Sequence, residues 1–388
     1  MPEPPAITDL AARLHEHLAA RRAELLDDLA TLVALESPSE DVAALNRTAD
    51  WLEAWLAPVG RVTVLPGADG RRHLLLEPSG VRERSALLMC HYDTVWPLGT
   101  TAAWGFAIDG DVATGPGVFD MKASIVTARH ALLALQELGL PCNARLLVTA
   151  DEEIGNRTSR ALIEAQAPRT VAALVLEPPL DDGRLKTERK GRGQARIAVR
   201  GRAAHAGVSP EAGINAIEEL ARLVLAVREV AGALPGVSAT VGQIRGGTAV
   251  NVVPEHAEIE IDLRAWTAAD LTELKARLEA LGPYDPAAGV DVAVTIERPP
   301  MERMDAVDAL LARCREAAGA LGLTIAEGRT GGCSEGNFMA AVGVPTLDGL
   351  GVRGFGPHTR EERIDLAHLL PQAALVGALA ADLGADSA

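Results

Sequence analysis

The sequence predicts an α/β protein: a layered domain with a mixed sheet between helices, interrupted by a smaller α+β domain. Three observations carry this. Through the first half of the chain, helical repeats of apolar residues alternate with short apolar runs that read as buried strands. After the polar stretch Asp181–Gly193 the strands alternate strictly between apolar and polar residues, as antiparallel strands with one solvated face do. From Asp305 the helix–strand pattern returns. The boundaries drawn from these changes are 1–187 and 301–388 for the two parts of the layered domain and 188–300 for the insertion.

The elements follow in order. Leu10, Leu14, Leu18, Leu25, Leu29 and Leu32 recur at helical spacing, predicting one helix over 8–35 that stops at Ser37-Pro38-Ser39, with the N-terminal prolines in a tail. A second helix is expected at Ala43–Leu56, then strands near Arg61–Leu65, His73–Leu76 and Ser85–Cys90. An amphipathic helix over Ser124–Leu138 leads to a strand at Arg145–Ala150, a helix at Ser159–Ala165 and a strand at Val171–Leu176. In the insertion, Gln194–Arg200, Ala239–Ile244 and Val290–Ile296 read as strands, and Asn215–Val230 and Ala268–Leu281 as helices. Between them Ile259, Ile261 and Leu263 take one strand face and Glu258, Glu260 and Asp262 the other. The chain closes with a helix to about Ala320, a loop at Thr330–Asn337, a strand near Pro345–Leu347 and a helix over Leu366–Leu383.

Composition bounds the function. Of 388 residues, 48% are apolar, enough for a sizeable core, and the formal charge is −16. With no basic block interleaved with aromatics, nucleic acid and anionic membrane are not expected partners. No signal-peptide pattern or membrane-length apolar run is seen, so a cytoplasmic protein is expected. The four cysteines, Cys90, Cys142, Cys314 and Cys333, are far apart, so any metal would be held by oxygen and imidazole.

Candidate ligands cluster where the buried strands end. His91 and Asp93 follow Ser85–Cys90, Glu152-Glu153 follow Arg145–Ala150, Glu177 follows Val171–Leu176, and Asp120 and His358 sit in glycine-rich loops. In open α/β sheets ligands bind off the carboxyl ends of the strands. His91 and Asp93 are two apart and share a face in extended chain, which suits a ligand and the carboxylate that orients it, or equally a polar strand end. Alone, Glu152-Glu153 reads more readily as a solvated acidic turn. Convergence changes that weighting: Asp120, Glu153 and Glu177 brought together would repel one another unless cations lay among them.

His91-Tyr-Asp-Thr, Gly115-Pro-Gly-Val-Phe-Asp-Met-Lys, Asp151-Glu-Glu-Ile-Gly and Gly356-Pro-His358, in that order, resemble the co-catalytic zinc exopeptidases of the aminoacylase, acetylornithine deacetylase and succinyl-diaminopimelate desuccinylase family. The sequence looks most similar to its folate-hydrolysing glutamate carboxypeptidase branch. The resemblance implies a zinc-exopeptidase-type catalytic domain and a ferredoxin-like inserted domain for dimerisation and lid. It implies two Zn2+ per chain, with Co2+ or Mn2+ as substitutes: one held by His91 and Glu177, the other by Glu153 and His358, with Asp120 bridging. Glu152 would be the general base and Asp93 the partner of His91, and a cis peptide is implied at Asp120–Met121. Arg202-Ala-Ala-His-Ala-Gly-Val-Ser-Pro and Gly247-Thr-Ala-Val-Asn-Val-Val-Pro also resemble the family, implying that His205 polarises the scissile carbonyl in the partner subunit of a homodimer and that Asn251 contacts substrate.

Arg264 and Arg298 are candidates to grip a substrate carboxylate by a bidentate pair, or equally structural arginines. Two departures stand out: the loop Thr330-Gly-Gly-Cys-Ser-Glu-Gly-Asn-Phe carries Cys333 and Glu335 where a glycine-rich, Asp-containing form is expected, and Ser124 replaces a frequent glycine. The loop is expected to alter the lining of a substrate pocket. The expected activity is hydrolysis of the amide of an N-acyl amino acid or small peptide with a free carboxylate, of glutamate type. The alternatives are an N-carbamoyl amino acid amidohydrolase, a deacylase of another N-acyl amino acid, or a catalytically silent binding module.

Overall fold

The computed structural model of the chain describes residues 5–383. Pro2 and Pro4 of the expected tail lie outside them. The described chain divides into two compact units: residues 5–187, 303–329 and 334–383 form one, and residues 188–302 with 330–333 form the other.

The first unit is built on a mixed sheet in the order Gly60–Pro66, Arg72–Pro78, Ala144–Thr149, Ser85–His91, Thr170–Val175, Thr346–Asp348, Leu185–Arg189 and Glu327–Thr330. Ser85–His91 runs parallel to both Ala144–Thr149 and Thr170–Val175, and Thr346–Asp348 runs parallel to the latter. These central strands are buried on both faces, which explains their unbroken apolar runs. One face packs on helices Ile7–Ala19, Arg22–Ala34, Ala123–Glu137 and Leu369–Asp382, through Leu14, Leu32, Leu88, Leu174 and Leu375 among others. A smaller cluster including Leu87, Leu147, Val175 and Phe338 fills the opposite face.

Two helices differ from expectation. The run predicted as one helix is two, Ile7–Ala19 and Arg22–Ala34. The apolar stripe keeps its phase across the break, so periodicity conceals it, while Arg21 leaves helical geometry at φ −110° and its guanidinium pairs with Glu24 and Glu137. Ala123–Glu137 is not amphipathic: every residue from Ala123 to Leu135 is buried, because the helix packs against neighbouring helices as well as the sheet.

A second, small sheet had no counterpart in the sequence reading. Its order is Gly354–Phe355, Arg363–Asp365, Val112–Thr114 and Ala107–Asp109, with Arg363 opposite Thr114. It draws the segment 356–362 beside the loop 115–120, although some 240 residues separate them in the chain.

The second unit carries an antiparallel sheet in the order Ser238–Gly246, His256–Ala265, Gly191–Arg200 and Gly289–Arg298. Helices Ala216–Gly232 and Ala268–Glu279 interrupt the strands in a βαββαβ sequence, the ferredoxin-like arrangement. Both helices begin on side-chain caps, Asn215 accepting from Ile217 and Glu218 N–H and Thr267 from Asp270 N–H. Their apolar faces meet Ile197, Val199, Ile259, Ile261 and Leu263, leaving Glu258, Glu260 and Asp262 on the open side.

Candidate metal centre

Because the three central strands are parallel, their carboxyl ends share one edge of the sheet. His91 ends the first, Glu152 and Glu153 follow the second by a short turn, and Glu177 lies two residues beyond the third. Asp120 arrives on the loop that follows Val112–Thr114, where Gly117 takes φ +72° and a side chain would collide with Thr94. The Asp120–Met121 peptide is cis. His358, itself at φ +61°, comes from the segment that joins strands Gly354–Phe355 and Arg363–Asp365 of the small sheet.

These five side chains form two groups that share one member. His91, Asp120 and Glu177 offer ligand atoms within 4.8 Å of one another, as do Asp120, Glu153 and His358. The sharing is atom by atom. Asp120 Oδ1 lies 3.1 Å from His91 Nε2, and Oδ2 lies 3.4 Å from His358 Nε2. Glu177 Oε1 is 3.5 Å from His91 Nε2, and Glu153 Oε1 is 3.1 Å from His358 Nε2. Donors about 2.0–2.2 Å from a tetrahedral ion stand about 3.3–3.6 Å apart; the separations of 3.4 and 3.5 Å match that spacing and the two of 3.1 Å fall slightly short of it.

The electrostatics make the same demand. Burial, then the neighbouring Asp120 charge, raises the Glu177 carboxyl above its ordinary range, and burial is the main cause that pushes Glu153 up to about 7. Burial opposes charge on His91, yet hydrogen bonds to Asp120, Asp93 and Glu177 carry it well above the ordinary imidazole value. Hydrogen bonds to Asp120 and Glu153 push His358 up to about 10. Asp120, despite burial, is held well below the carboxylate range by the two histidines. The cluster draws positive charge to its centre, as an oxygen- and nitrogen-donor set for divalent ions does.

His91 Nδ1 lies 3.0 Å from the Asp93 backbone carbonyl, so it must donate there, which makes Nε2 the nitrogen available to an ion when the ring is neutral. The Asp93 carboxylate is farther from the ring, at 3.5 Å, and its hydrogen bonds go elsewhere. Oδ1 accepts from Glu152 N–H at 3.1 Å, and Oδ2 from Glu153 N–H at 3.2 Å and Ser39 Oγ at 2.8 Å. Asp93 thus ties the His91 strand end to the turn bearing both glutamates. Asp151, fully buried, braces that turn further by accepting from the backbone and hydroxyl groups of Thr158 and Ser159. The motif Asp151-Glu-Glu-Ile-Gly gave Asp151 no role of its own; its place between a buried strand and an acidic pair was the available signal.

Glu335 does not line a pocket as expected. It is 2% exposed, and its Oε1 accepts from Thr149 Oγ1 and Asn156 Nδ2, so it belongs to the interior beneath the turn. Burial pushes its carboxyl up to about 8. An acid whose folded value is raised binds more protons folded than unfolded between about pH 4.5 and 8, so it destabilises the fold progressively as pH rises through that window. Glu335→Gln keeps the acceptor oxygen without the titration. The difference in urea midpoint between Glu335→Gln and the unmodified chain should therefore move in favour of the variant from pH 5 to pH 8; a constant difference would contradict this.

The remaining candidates lie in the second unit. His205 is exposed, and its strand Ala204–His205 pairs with Val252–Val253, Ala206 N–H donating to the Asn251 carbonyl at 3.0 Å, so His205 and Asn251 adjoin. His205 Nδ1 accepts from Gly207 N–H at 3.1 Å, placing the proton of the neutral ring on Nε2. Arg264 is held in a two-point ion pair by Asp262, at 2.8 and 3.1 Å, and also reaches the Gly331 carbonyl and Cys333 Sγ. Arg298 is 5% exposed, at the end of its strand opposite Arg192. Cys333 Sγ donates to the Lys190 carbonyl, and all four cysteines are free.

Comparison with known proteins matches residues 87–382 to peptidase family M20/M25/M40. The chain is 30% identical over 374 residues to carboxypeptidase G2 of Pseudomonas sp. (strain RS-16), covering 93% of this chain and 89% of that protein. It is 32% identical over 257 residues to acetylornithine deacetylase of Pasteurella multocida (strain Pm70), covering 61% and 65%. Among solved structures, aminopeptidase PepT from Bacillus cereus ATCC 10987 superposes with a TM-score of 0.77 at 23% identity, over 92% of this chain and 97% of that one. An M20 family metallo-carboxypeptidase, Sso-CP2 from Sulfolobus solfataricus, gives 0.72 at 16%, over 92% and 99%. At these identities the two structures speak for the fold.

Proposed function

The chain belongs to peptidase family M20/M25/M40 and is a hydrolase, and from that premise we propose that it uses two zinc ions to cleave the amide bond of an N-acyl amino acid or small peptide with a free carboxylate, of glutamate type. The observation that carries this is the double use of Asp120, one oxygen towards His91 and Glu177 and the other towards His358 and Glu153. His91 and Glu177 would hold one ion, Glu153 and His358 the other, and Asp120 both. When bound, the ions would polarise the scissile carbonyl and acidify the attacking water.

The protein's own groups do the rest. Glu152, on the turn fixed by Asp93, takes the proton of the attacking water and delivers it to the leaving amine. Its neighbour Glu153 is a ligand, so adjacent side chains divide base and ligand roles. His205 carries its Nε2 proton as a donor and, supplied by the partner subunit of a homodimer, stabilises the oxyanion, with Asn251 beside it on substrate. The dimer contact is assigned to the edge strand Ser238–Gly246 and helix Ala216–Gly232, where Ile244 and Leu225 are 64% and 61% exposed. Arg298 and Arg264 are the groups for the carboxylate, Arg264 by exchanging Asp262 for substrate and Arg298 by exchanging its present partners.

The similarity to carboxypeptidase G2 over most of both chains favours the glutamate-type substrate. The similarity to an acetylornithine deacetylase keeps a deacylase of another N-acyl amino acid as the second reading. A silent binding module is disfavoured because each ligand position holds a competent donor. Hydrolysis of a panel of N-acyl-glutamate, N-carbamoyl and N-acetyl amino acids should be fastest for N-acyl-glutamate and should fall to background with chelator, returning on addition of zinc. Hydrolysis indifferent to chelator would overturn the mechanism, and faster N-acetyl-ornithine cleavage would favour the second reading.

A further inference from the structure

A buried acid that is not one of the five bonds the backbone of the shared ligand. Glu362 is fully buried, and both of its oxygens are occupied by donors from other segments. Oε1 accepts from Phe119 N–H at 3.0 Å and Asp120 N–H at 3.1 Å; Oε2 accepts from Gly117 N–H at 3.0 Å and Trp96 Nε1–H at 2.9 Å. The amide skipped in this series, Val118 N–H, is bonded within the loop to the Gly115 carbonyl. One carboxylate therefore receives three of the backbone amides of the loop that ends on Asp120.

The origin of Glu362 gives this arrangement its meaning. It lies four residues after His358 in a single short segment, whose turns are closed by Thr359 N–H to the Gly356 carbonyl and Glu362 N–H to the Thr359 carbonyl, each at 3.1 Å. The pairing of Arg363 with Thr114 sets that segment beside the Asp120 loop. Asp120 is thus gripped from both ends by one piece of chain: His358 meets its side-chain Oδ2, and Glu362 meets its backbone amide.

We propose that Glu362 is a positioning residue for the metal centre: by fixing the backbone of the Gly117–Asp120 loop it sets where Asp120 presents its two oxygens, so both metal positions depend on it although it touches neither. This rests on the two-zinc reading above. A carboxylate suits the task and an amide does not, because each oxygen serves two donors. In Glu362→Gln one oxygen becomes an NH2 group facing two N–H donors, whereas Glu362→Asp keeps both acceptors on a shorter arm.

The test measures zinc binding by competition with a chromophoric chelator, kcat and KM at saturating zinc, and Tm, for the unmodified chain, Glu362→Gln and Glu362→Asp. Glu362→Gln should weaken both zinc sites in parallel, about 10–100-fold as for other residues that orient ligands. Its kcat should fall at least as far while KM moves little, with Glu362→Asp lying between it and the unmodified chain. A lowered Tm with zinc affinity and kcat unchanged would make Glu362 a structural residue only, and loss at one site alone would contradict control through Asp120; either overturns the proposal. If neither variant folds, Glu362 serves stability and the proposal falls. An unmodified chain that binds no zinc would instead overturn the two-zinc reading itself.

Discussion

Asp120→Ala is expected to release both metal ions together and to leave hydrolysis at background. The reason is the division of its carboxylate: Oδ1 faces His91, Oδ2 faces His358, and among the described residues no other side chain has atoms in both groups. Removing it takes one donor from each site and also the negative charge that sits between them. His91→Ala and His358→Ala each remove a donor from one group only. Each should empty mainly its own site, leaving close to one ion per chain. Metal content after dialysis, set beside activity, reads all three variants. Stepwise and equal losses in the three would show that Asp120 is an ordinary ligand of one ion.

Glu152→Gln should lower kcat by about 10²–10⁴-fold, the span general acid–base groups contribute, while both ions stay bound. The two observations must come together to mean anything. The hydrogen bond that places residue 152 is made by its backbone N–H to Asp93 Oδ1, and an amide side chain leaves it intact. Glutamine fills the same volume but takes no proton from water at neutral pH. The variant should therefore bind zinc and substrate as the unmodified chain does and fail at the chemical step. Near-normal turnover would remove Glu152 from the base role; lost metal would mean that it acts as a ligand.

His91, Glu153 and Glu177 were legible because each follows a buried parallel strand, and a buried strand announces itself as an unbroken apolar run such as Ser85-Ala-Leu-Leu-Met-Cys, whereas Asp120 and His358 stood out in glycine-rich loops. The alternating strand containing Ile259 and Glu260 was legible for the opposite reason, having one wet face. What escaped was local geometry without periodicity. The break at Arg21 leaves the leucine stripe in phase, and the all-round burial of Ala123–Glu137 is invisible when alanine serves core and surface alike. The strands of the small sheet are two or three residues long, too short for alternation to register. With them escaped Glu362, whose donors Gly117, Phe119 and Asp120 lie 242 to 245 residues away. Glu335 was noticed as an oddity of its loop and assigned to a pocket, because a sequence does not say which way a charged side chain turns.

The small sheet has a consequence for the order in which the molecule is made. Strands Ala107–Asp109 and Val112–Thr114 leave the ribosome early, whereas their partners Arg363–Asp365 and Gly354–Phe355 emerge only near the end of the described chain. Until then His91, Asp120, Glu153 and Glu177 are a set of carboxylates with a single imidazole, and the second candidate group lacks His358. Domains generally fold as units during synthesis, N-terminal parts first, but here the last strands to appear close the centre. The group of Asp120, Glu153 and His358 is therefore the later of the two to be completed, and a nascent chain that stalls before residue 354 would lack its imidazole.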